Sequence, residues 1–262
     1  MKTTAPNRPV LNEERRRQIL DLLNRDGRVL VVDLAKQFLT SQVTIRKDLD
    51  VLQAQGRIHR SHGGALPARE SALEDPTLRE KEKLHRKEKQ QIAAAAARMV
   101  HEGQVVILDS GTTTTAIARA LRDFQNLTII TNAVNIAAEL SGSSLEVILT
   151  GGTLRKNSFS LVGPVADETL RRLNADILFL GVDGFDVNQG LTTPNQLEAK
   201  VNRAMMDVAR VVVVACDSSK FGRRSLCSIA PPSAVHHLIT DRGIRKADLA
   251  ALKQAGIQIT LI

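Results

Sequence analysis

Apolar residues in the first quarter of the chain recur at helical spacing. From Leu11 to Arg25 the residues Leu11, Ile19, Leu20, Leu22 and Leu23 mark one face among charged neighbours, and Gly27 supplies a stop. Val31 to Phe38 reads as a second, short helix. After a polar break at Thr40 and Ser41, a third runs from Gln42 to Gln55 and ends at Gly56. Within it Ile45, Leu49 and Leu52 stand at i, i+4 and i+7, which turns them inward together. Val43, Arg46, Lys47 and Asp50 then face outward. Arg57 to Leu66 follows, short, basic and β-capable, with a Gly63-Gly64 break that suits a small β-wing.

From Pro67 to Lys89 the chain becomes densely charged and loses its periodicity, as a connector and the start of a helix would. Beyond it, apolar runs of strand length occur at Val105 to Leu108, Leu127 to Thr131, Leu145 to Leu149, Ile177 to Leu180, Val211 to Ala215, Val235 to Ile239 and Ile257 to Leu261. Helical patterns lie between them at Gln90 to Val100, Thr113 to Leu121, Val134 to Leu140, Gln196 to Ala209 and Ala247 to Gln254. Such alternation predicts an α/β fold with a doubly wound, mostly parallel sheet covered by helices on both faces. The expected organisation is a winged helix-turn-helix domain at 11–66, a charged connector at 67–88 and a larger α/β domain at 89–262. A chain of 262 residues is long enough for two such cores.

Charge sharpens this division. Of 36 Lys and Arg against 28 Asp and Glu, about 13 against 7 fall in residues 1–69, so the basic excess belongs mainly to the helical quarter. A polyanionic partner follows from such an excess, because each neutralised phosphate releases condensed counterions. Trp and Tyr are absent and Phe numbers six, leaving few platforms for stacking unpaired bases, so double-stranded DNA is expected over single strands. No apolar run approaches the roughly 20 residues that cross a bilayer. Met1 to Val10 lacks the apolar core of a secretory signal and reads as a frayed tail. Cys216 and Cys227 form no C-x-x-C pair, so neither a disulfide framework, a metal site nor a cofactor is expected, and a reducing cytoplasm is the expected compartment.

Ser41 is placed to cap the third helix, with Gln42 and Thr44 near the end that meets base edges in helix-turn-helix proteins. Arg and Lys donate to guanine or phosphate, Gln pairs with adenine, and Thr meets a thymine methyl. A solvated face on an ordinary three-helix domain has the same spacing. The run Thr44-Ile45-Arg46-Lys47-Asp48-Leu49, followed by Gly56 and His62-Gly63-Gly64-Ala65, resembles the signature of the DeoR family of bacterial regulators. One departure is Phe38-Leu39-Thr40, where that family more often carries a small or turn-forming residue before Ser41. The resemblance implies groove contacts from Gln42, Thr44, Arg46 and Lys47, and phosphate contacts from Arg57, Arg60 and His62 of the wing.

Asp109-Ser110-Gly111-Thr112-Thr113-Thr114-Thr115 stands where a strand turns into a helix. Glycine lets a ligand approach the backbone, hydroxyls donate, and the helix N-terminus favours an anion such as phosphate, although the same residues also make ordinary turns and caps. Without a Walker lysine, nucleoside triphosphates are disfavoured. Thr131-Asn132, Gly151-Gly152, Gly181-Val182-Asp183-Gly184 and Asp217-Ser218-Ser219-Lys220-Phe221 fall at other strand ends. Together they offer carboxylate, amide, hydroxyl and ammonium groups, an inventory suited to a polyhydroxylated anion. In this order the five segments resemble the effector domain of the same family, so the likeness runs from about Glu13 to the C-terminus. It implies repression of sugar-catabolism genes and release from DNA on binding a phosphorylated sugar. It assigns phosphate binding to Ser110, Gly111, Thr112, Thr113 and Thr114, hydroxyl recognition to Asn132 and Asp183, and an anion contact to Lys220. Within the family, Phe179 to Asp186 with Gly190 and Glu198-Ala199 looks closest to regulators of N-acetylgalactosamine or related amino-sugar use.

Glu198 stands three residues after Asn195, which fits a capping box, while the family often carries an acid here near the pocket. His236-His237 reads as structural, since adjacent strand residues point to opposite faces. At fold level the second domain also resembles sugar-phosphate isomerases of the ribose-5-phosphate type. That leaves an alternative in which Asp183, Asp217 and Lys220 move protons between carbons, and a third in which the chain is a nonspecific architectural DNA binder. Tandem half-sites need paired winged helices, so a homo-oligomer, dimer or tetramer, is expected.

Overall fold

A computed structural model of the chain describes residues 12–26, 28–55, 57–61, 63–67 and 75–262. Leu11, Gly27, Gly56 and His62 lie outside them, and with them the two glycine stops and the phosphate contact expected of the histidine. The chain divides into two compact units, residues 1–70 and 71–262.

The first unit comprises α1 (Asn12–Asp26), β1 (Val29–Leu30), α2 (Val31–Gln37), α3 (Gln42–Ala54), β2 (Ile58–Ser61) and β3 (Gly64–Pro67). Its core joins Ile19 and Leu23 of α1, Leu34 of α2 and the inward stripe Ile45, Leu49 and Leu52 of α3. Asp48 is buried beside that stripe, where its carboxylate accepts from Arg15 Nε at 2.6 Å and Arg16 Nε at 2.8 Å, pinning α1 to α3. The wing has three strands rather than the hairpin alone, in the order β1-β3-β2, because Leu30 pairs with Gly64. A Cβ at Gly64 would lie 2.0 Å from the Val29 carbonyl oxygen, so only glycine admits this pairing. Leu39, in the turn between α2 and α3, adopts φ 49° and is 75% exposed. The turn demands a left-handed residue, and here a leucine takes that conformation against its Cβ sterics.

The second unit opens with α4 (Leu78–Glu82), α5 (Arg86–Ala97), β4 (Val105–Leu108), α6 (Thr112–Leu121), β5 (Thr128–Thr131), α7 (Val134–Leu140) and β6 (Glu146–Leu149). It continues through the hairpin β7 (Thr153–Arg155) and β8 (Ser160–Val162), then α8 (Pro164–Leu170), β9 (Ala175–Leu180), β10 (Gly184–Asp186), β11 (Gly190–Thr193) and α9 (Gln196–Val208). It ends with β12 (Ala209–Ala215), β13 (Cys227–Ala230), β14 (His237–Thr240), α10 (Lys246–Gln254) and β15 (Gln258–Leu261).

Seven strands form the main sheet in the order β15-β14-β12-β9-β4-β5-β6, every neighbouring pair parallel. Alternate residues feed two separate cores. Ile107, Leu178, Val212 and Val214 pack with α8, α9 and α10, whereas Val106, Leu108, Phe179 and Val213 pack with α5, α6 and α7. Both faces are therefore dry, which is why these strands read as continuous apolar runs instead of alternating. The sequence pattern did not mark α8, the hairpin β7–β8 or the small antiparallel sheet β10-β11-β13, whose strands are short and carry Gly, Thr and Ser.

The stretch 67–88, expected as a charged connector, needs correction in its second half. Thr77 caps α4, its hydroxyl accepting from Glu80 N while the Glu80 carboxylate accepts from Thr77 N. Leu78 is buried, and the helix belongs to the second unit. Charge density hid a helix whose start is a capping box.

The buried ion triplet of the first unit sets its stability. Asp48→Ala leaves two arginines facing a void and should lower the unfolding free energy of that unit by about 3 kcal/mol, read from urea unfolding followed by circular dichroism; a loss under about 0.5 kcal/mol would show that α1 is held without it.

Candidate functional site

Two surfaces bring together the residues singled out above. On the first unit, Ser41 adopts an extended backbone and its hydroxyl accepts from Thr44 N at 3.1 Å, starting α3 cleanly. Gln42, Val43, Arg46 and Lys47 are exposed, and Thr44 is half-buried with its hydroxyl 2.9 Å from that of Ser41. No acid occupies the first turn. The helix end thus offers one amide, one hydroxyl and two cations to a groove. Arg57 of the wing is exposed, while Arg60 turns back so that its Nε lies 3.7 Å from Asp50 Oδ1 on α3.

In the second unit, strand order reverses between β4 and β9: β5 and β6 follow β4 on one side, and β12, β14 and β15 follow β9 on the other. A crevice at the carboxyl ends of such strands is where open α/β sheets bind ligands. Here the loops after β4 and β9 are tied together, Asp109 N donating to Phe179 O at 3.2 Å and Gly181 N donating to Asp109 Oδ2 at 3.2 Å. The chain enters α6 through Gly111, which provides no side-chain cap. The leading amides of the helix, which have no intrahelical partners, and the positive end of its dipole thus lie at the carboxyl end of β4 without a side-chain cap.

Carboxylates and cations surround this point. Burial raises the Asp109 carboxyl well above the usual range, with Glu198 and Asp183 adding to the effect. Burial opposes ionisation of Asp183 as well, yet Lys81 and Lys220, with hydrogen bonds from Lys81 and Thr193, hold it below the usual range. Lys81 Nζ stands 2.5 Å from Asp183 Oδ1, and Thr193 Oγ1 bridges Asp183 Oδ2 at 3.3 Å and Glu198 Oε2 at 3.4 Å. Asp217 is buried but kept low by its hydrogen bond from Ser219 and by Lys220, His85 and Lys89. Lys220 itself is drawn down by burial against the pull of Asp183. Lys89 is drawn down to about 8 by burial, its ammonium donating to the Lys81 and Leu84 carbonyls at 2.6 Å each.

Several expected roles change. Thr114 is fully buried and its hydroxyl donates to Gly111 O at 3.0 Å, so only its amide can serve an anion; Thr113 is buried too, leaving Ser110 and Thr112 as the more open hydroxyls. Asn132 is fully buried; its amide nitrogen donates to Leu161 O at 3.3 Å, and its Oδ1 has no hydrogen-bond partner. A Cβ on Gly184 would meet Arg223 O at 2.4 Å, so the close approach of β10 to the Arg223 backbone requires glycine here. Gly151 and Gly152 join β6 to β7, two strands from the reversal. Asn195 caps α9 by itself, accepting from Leu197 N and Glu198 N, and Glu198 turns away to accept from Arg155 at 3.2 Å and Ser160 at 2.9 Å. The capping-box reading of Glu198 gives way to these contacts, with Thr193 on its other oxygen. Sequence reasoning missed Lys81, Lys89, Arg155 and Thr193. Among the described residues no cluster of His, Cys, Asp or Glu could hold a metal ion, and the His236 and His237 rings bond Val212 N and Thr260 Oγ1. A hollow of about 540 Å³ walled by Asn174, Asp176, Asp207 and Arg210 opens at the opposite, amino-terminal end of the strands, away from all these groups.

Residues 15–70 match the model of a DeoR-like helix-turn-helix domain, and residues 84–242 that of the DeoR C terminal sensor domain. The chain is 40% identical over 251 residues to a putative aga operon transcriptional repressor of Escherichia coli O157:H7, covering 95% of this chain and 93% of that one. It is likewise 40% identical to the HTH-type transcriptional regulator GlpR of Haloferax volcanii, at 95% and 98% coverage. The glycerol-3-phosphate regulon repressor of Escherichia coli K12 is 32% identical, at 95% and 98% coverage. Among solved structures, ribose 5-phosphate isomerase A from Methanocaldococcus jannaschii aligns with 18% identity over 51% of this chain and 53% of its own, TM-score 0.38. No described helix is long and apolar enough to cross a membrane.

The raised Asp109 carboxyl has a measurable consequence. Between the unfolded value near pH 4 and the raised folded value, the folded chain keeps a proton that the unfolded chain has lost, so its contribution to stability falls as pH rises through that window. Asp109→Asn should remove this slope and leave the second unit more stable at neutral pH, measured by calorimetry from about pH 4 to 8. A variant with the wild-type slope would mean that Asp109 is ionised in the folded chain.

Proposed function

Because the chain belongs to the DeoR family, we propose that it represses a sugar or amino-sugar catabolic operon and leaves its operator when a phosphorylated sugar binds the second unit. The observation that carries this reading is the uncapped N-terminus of α6 at the strand-order reversal, beside the ionised Asp183 and Lys220. The amides of Thr112, Thr113 and Thr114, with the Ser110 and Thr112 hydroxyls and Lys220, take the phosphate. Asp183 and Glu198 accept from sugar hydroxyls. The names of the relatives support carbohydrate control, one for an aga operon and one for glycerol 3-phosphate. On the first unit, Gln42, Thr44, Arg46 and Lys47 meet base edges, with Arg57 and Arg60 on phosphates. Arg60 must first give up Asp50. The protein works in the cytoplasm as a homo-oligomer, since paired half-sites need paired wings. A helix-turn-helix unit gives an isomerase nothing, which weighs against the enzyme alternative.

Two measurements test this. With an operator selected from a random duplex pool, the double variant Arg46→Ala/Lys47→Ala should lose binding in a salt-controlled gel shift while keeping the wild-type circular dichroism; retained affinity would remove these residues from the interface. Titrating hexose phosphates into the wild-type complex should release the duplex, and a sugar present at about 100 times its dissociation constant should stabilise the free protein by about 2.7 kcal/mol. No release and no stabilisation by any phosphorylated sugar would favour an architectural DNA binder. The absence of Trp and Tyr makes calorimetry or an extrinsic dye the readout.

A further inference from the structure

Within the second unit, the segment 75–83 is fastened through Asp183, which the proposed function gives to the effector, and through Arg155, which also pairs with Glu198. Lys81 Nζ holds Asp183 Oδ1 at 2.5 Å, the carboxylate oxygen that Thr193 does not engage. Asp75 pairs with Arg155 Nη2, while Arg155 Nη1 reaches Glu198 Oε1 at 3.2 Å. Besides these ion pairs, the segment is held by the Leu78 side chain, by Leu78 N donating to Asn157 O at 2.7 Å, by the Asn157 amide donating to Asp75, by Lys89 at its end, and by a looser pair between Glu82 and Arg119 of α6 at 3.8 Å. A helix of five residues has little stability of its own. It is also the first described element after the boundary at residues 70 and 71.

Resting on the effector reading above, we propose that segment 75–83 is a latch exchanged for the effector. A sugar hydroxyl donating to Asp183 Oδ1 takes the place of the Lys81 ammonium, and with Lys81 released the five-residue helix loses the ion pair that ties its middle to the sheet. Occupancy and latching then exclude each other, and the reciprocity of linked equilibria fixes the sign: whatever the ligand loses by displacing the latch is regained when the latch is removed. Lys81 is a positioning residue in this scheme, a competitor of the ligand rather than its contact.

The test uses the full chain, Lys81→Met and Asp183→Asn, with N-acetylgalactosamine 6-phosphate, galactosamine 6-phosphate and glycerol 3-phosphate as probes and inorganic phosphate as control. Lys81→Met should bind the productive sugar phosphate more tightly, by about 5- to 150-fold, and should lose most of the sugar-dependent change in operator affinity. In the wild type, amides of residues 78–82 should exchange hydrogen faster once the sugar is bound. Weaker sugar binding by Lys81→Met, as expected of Asp183→Asn, would make Lys81 a ligand contact and overturn the latch. So would unchanged affinity, an unchanged operator response, or slower exchange in α4. A wild-type protein that binds none of the three sugars overturns the effector site itself, a different failure.

Discussion

The reversal of strand order between β4 and β9 is the constraint on which the second unit depends. Parallel strands must be joined by crossovers, and crossovers that leave a central strand in opposite directions open a gap at the carboxyl edge that no helix covers. Here the gap is spanned by a buried carboxyl, Asp109, which accepts from Gly181 N and so sets the loop after β9 against the entrance of α6. Asp183 is carried two residues farther on that same loop. Its position relative to the free amides of α6 is therefore a product of the sheet and not of either loop alone.

The charges of the crevice are mutually conditional. Against burial, Lys81 and Lys220 hold Asp183 below the usual range, the Ser219 hydrogen bond and then Lys220, His85 and Lys89 do the same for Asp217, and the two carboxylates in turn oppose the downward pull of burial on Lys220. Asp109 has no such cation among its causes and is driven toward its neutral form. One carboxyl thus acts as part of the scaffold while another remains an acceptor for hydroxyls. A ligand that brings its own negative charge enters a network in which its partners are already engaged with the protein, and its binding must rearrange those pairs.

The first unit follows a simpler logic. Its apolar stripe orients α3, but stripes slide, and the Arg15, Arg16 and Asp48 triplet fixes the rotation of α1 against it. Gly64 lets β1 close on β3 without a side chain between them. Two positions of a short motif thereby acquire structural reasons, while on α3 the motif's Arg46 and Lys47 are exposed and Thr44 is half-buried.

Periodicity determined the helices of the first unit, the seven apolar strands and the segments at their carboxyl ends, because these depend on local spacing and on burial that both faces of the sheet impose. Residue type at strand ends was enough to mark Asp183 and Lys220. Local sequence did not determine the partners of the marked residues: the Thr114 hydroxyl is spent on a carbonyl of its own turn, the Asn132 amide nitrogen reaches across to β8, and Glu198, which suited a cap, turns to Arg155 and Ser160. Nor did it reveal Lys81, since a lysine in a run of alternating charges looks solvated until the fold sets it against an aspartate 102 residues away. Such pairings are fixed by chain packing at long sequence separation, and there only the tertiary structure decided.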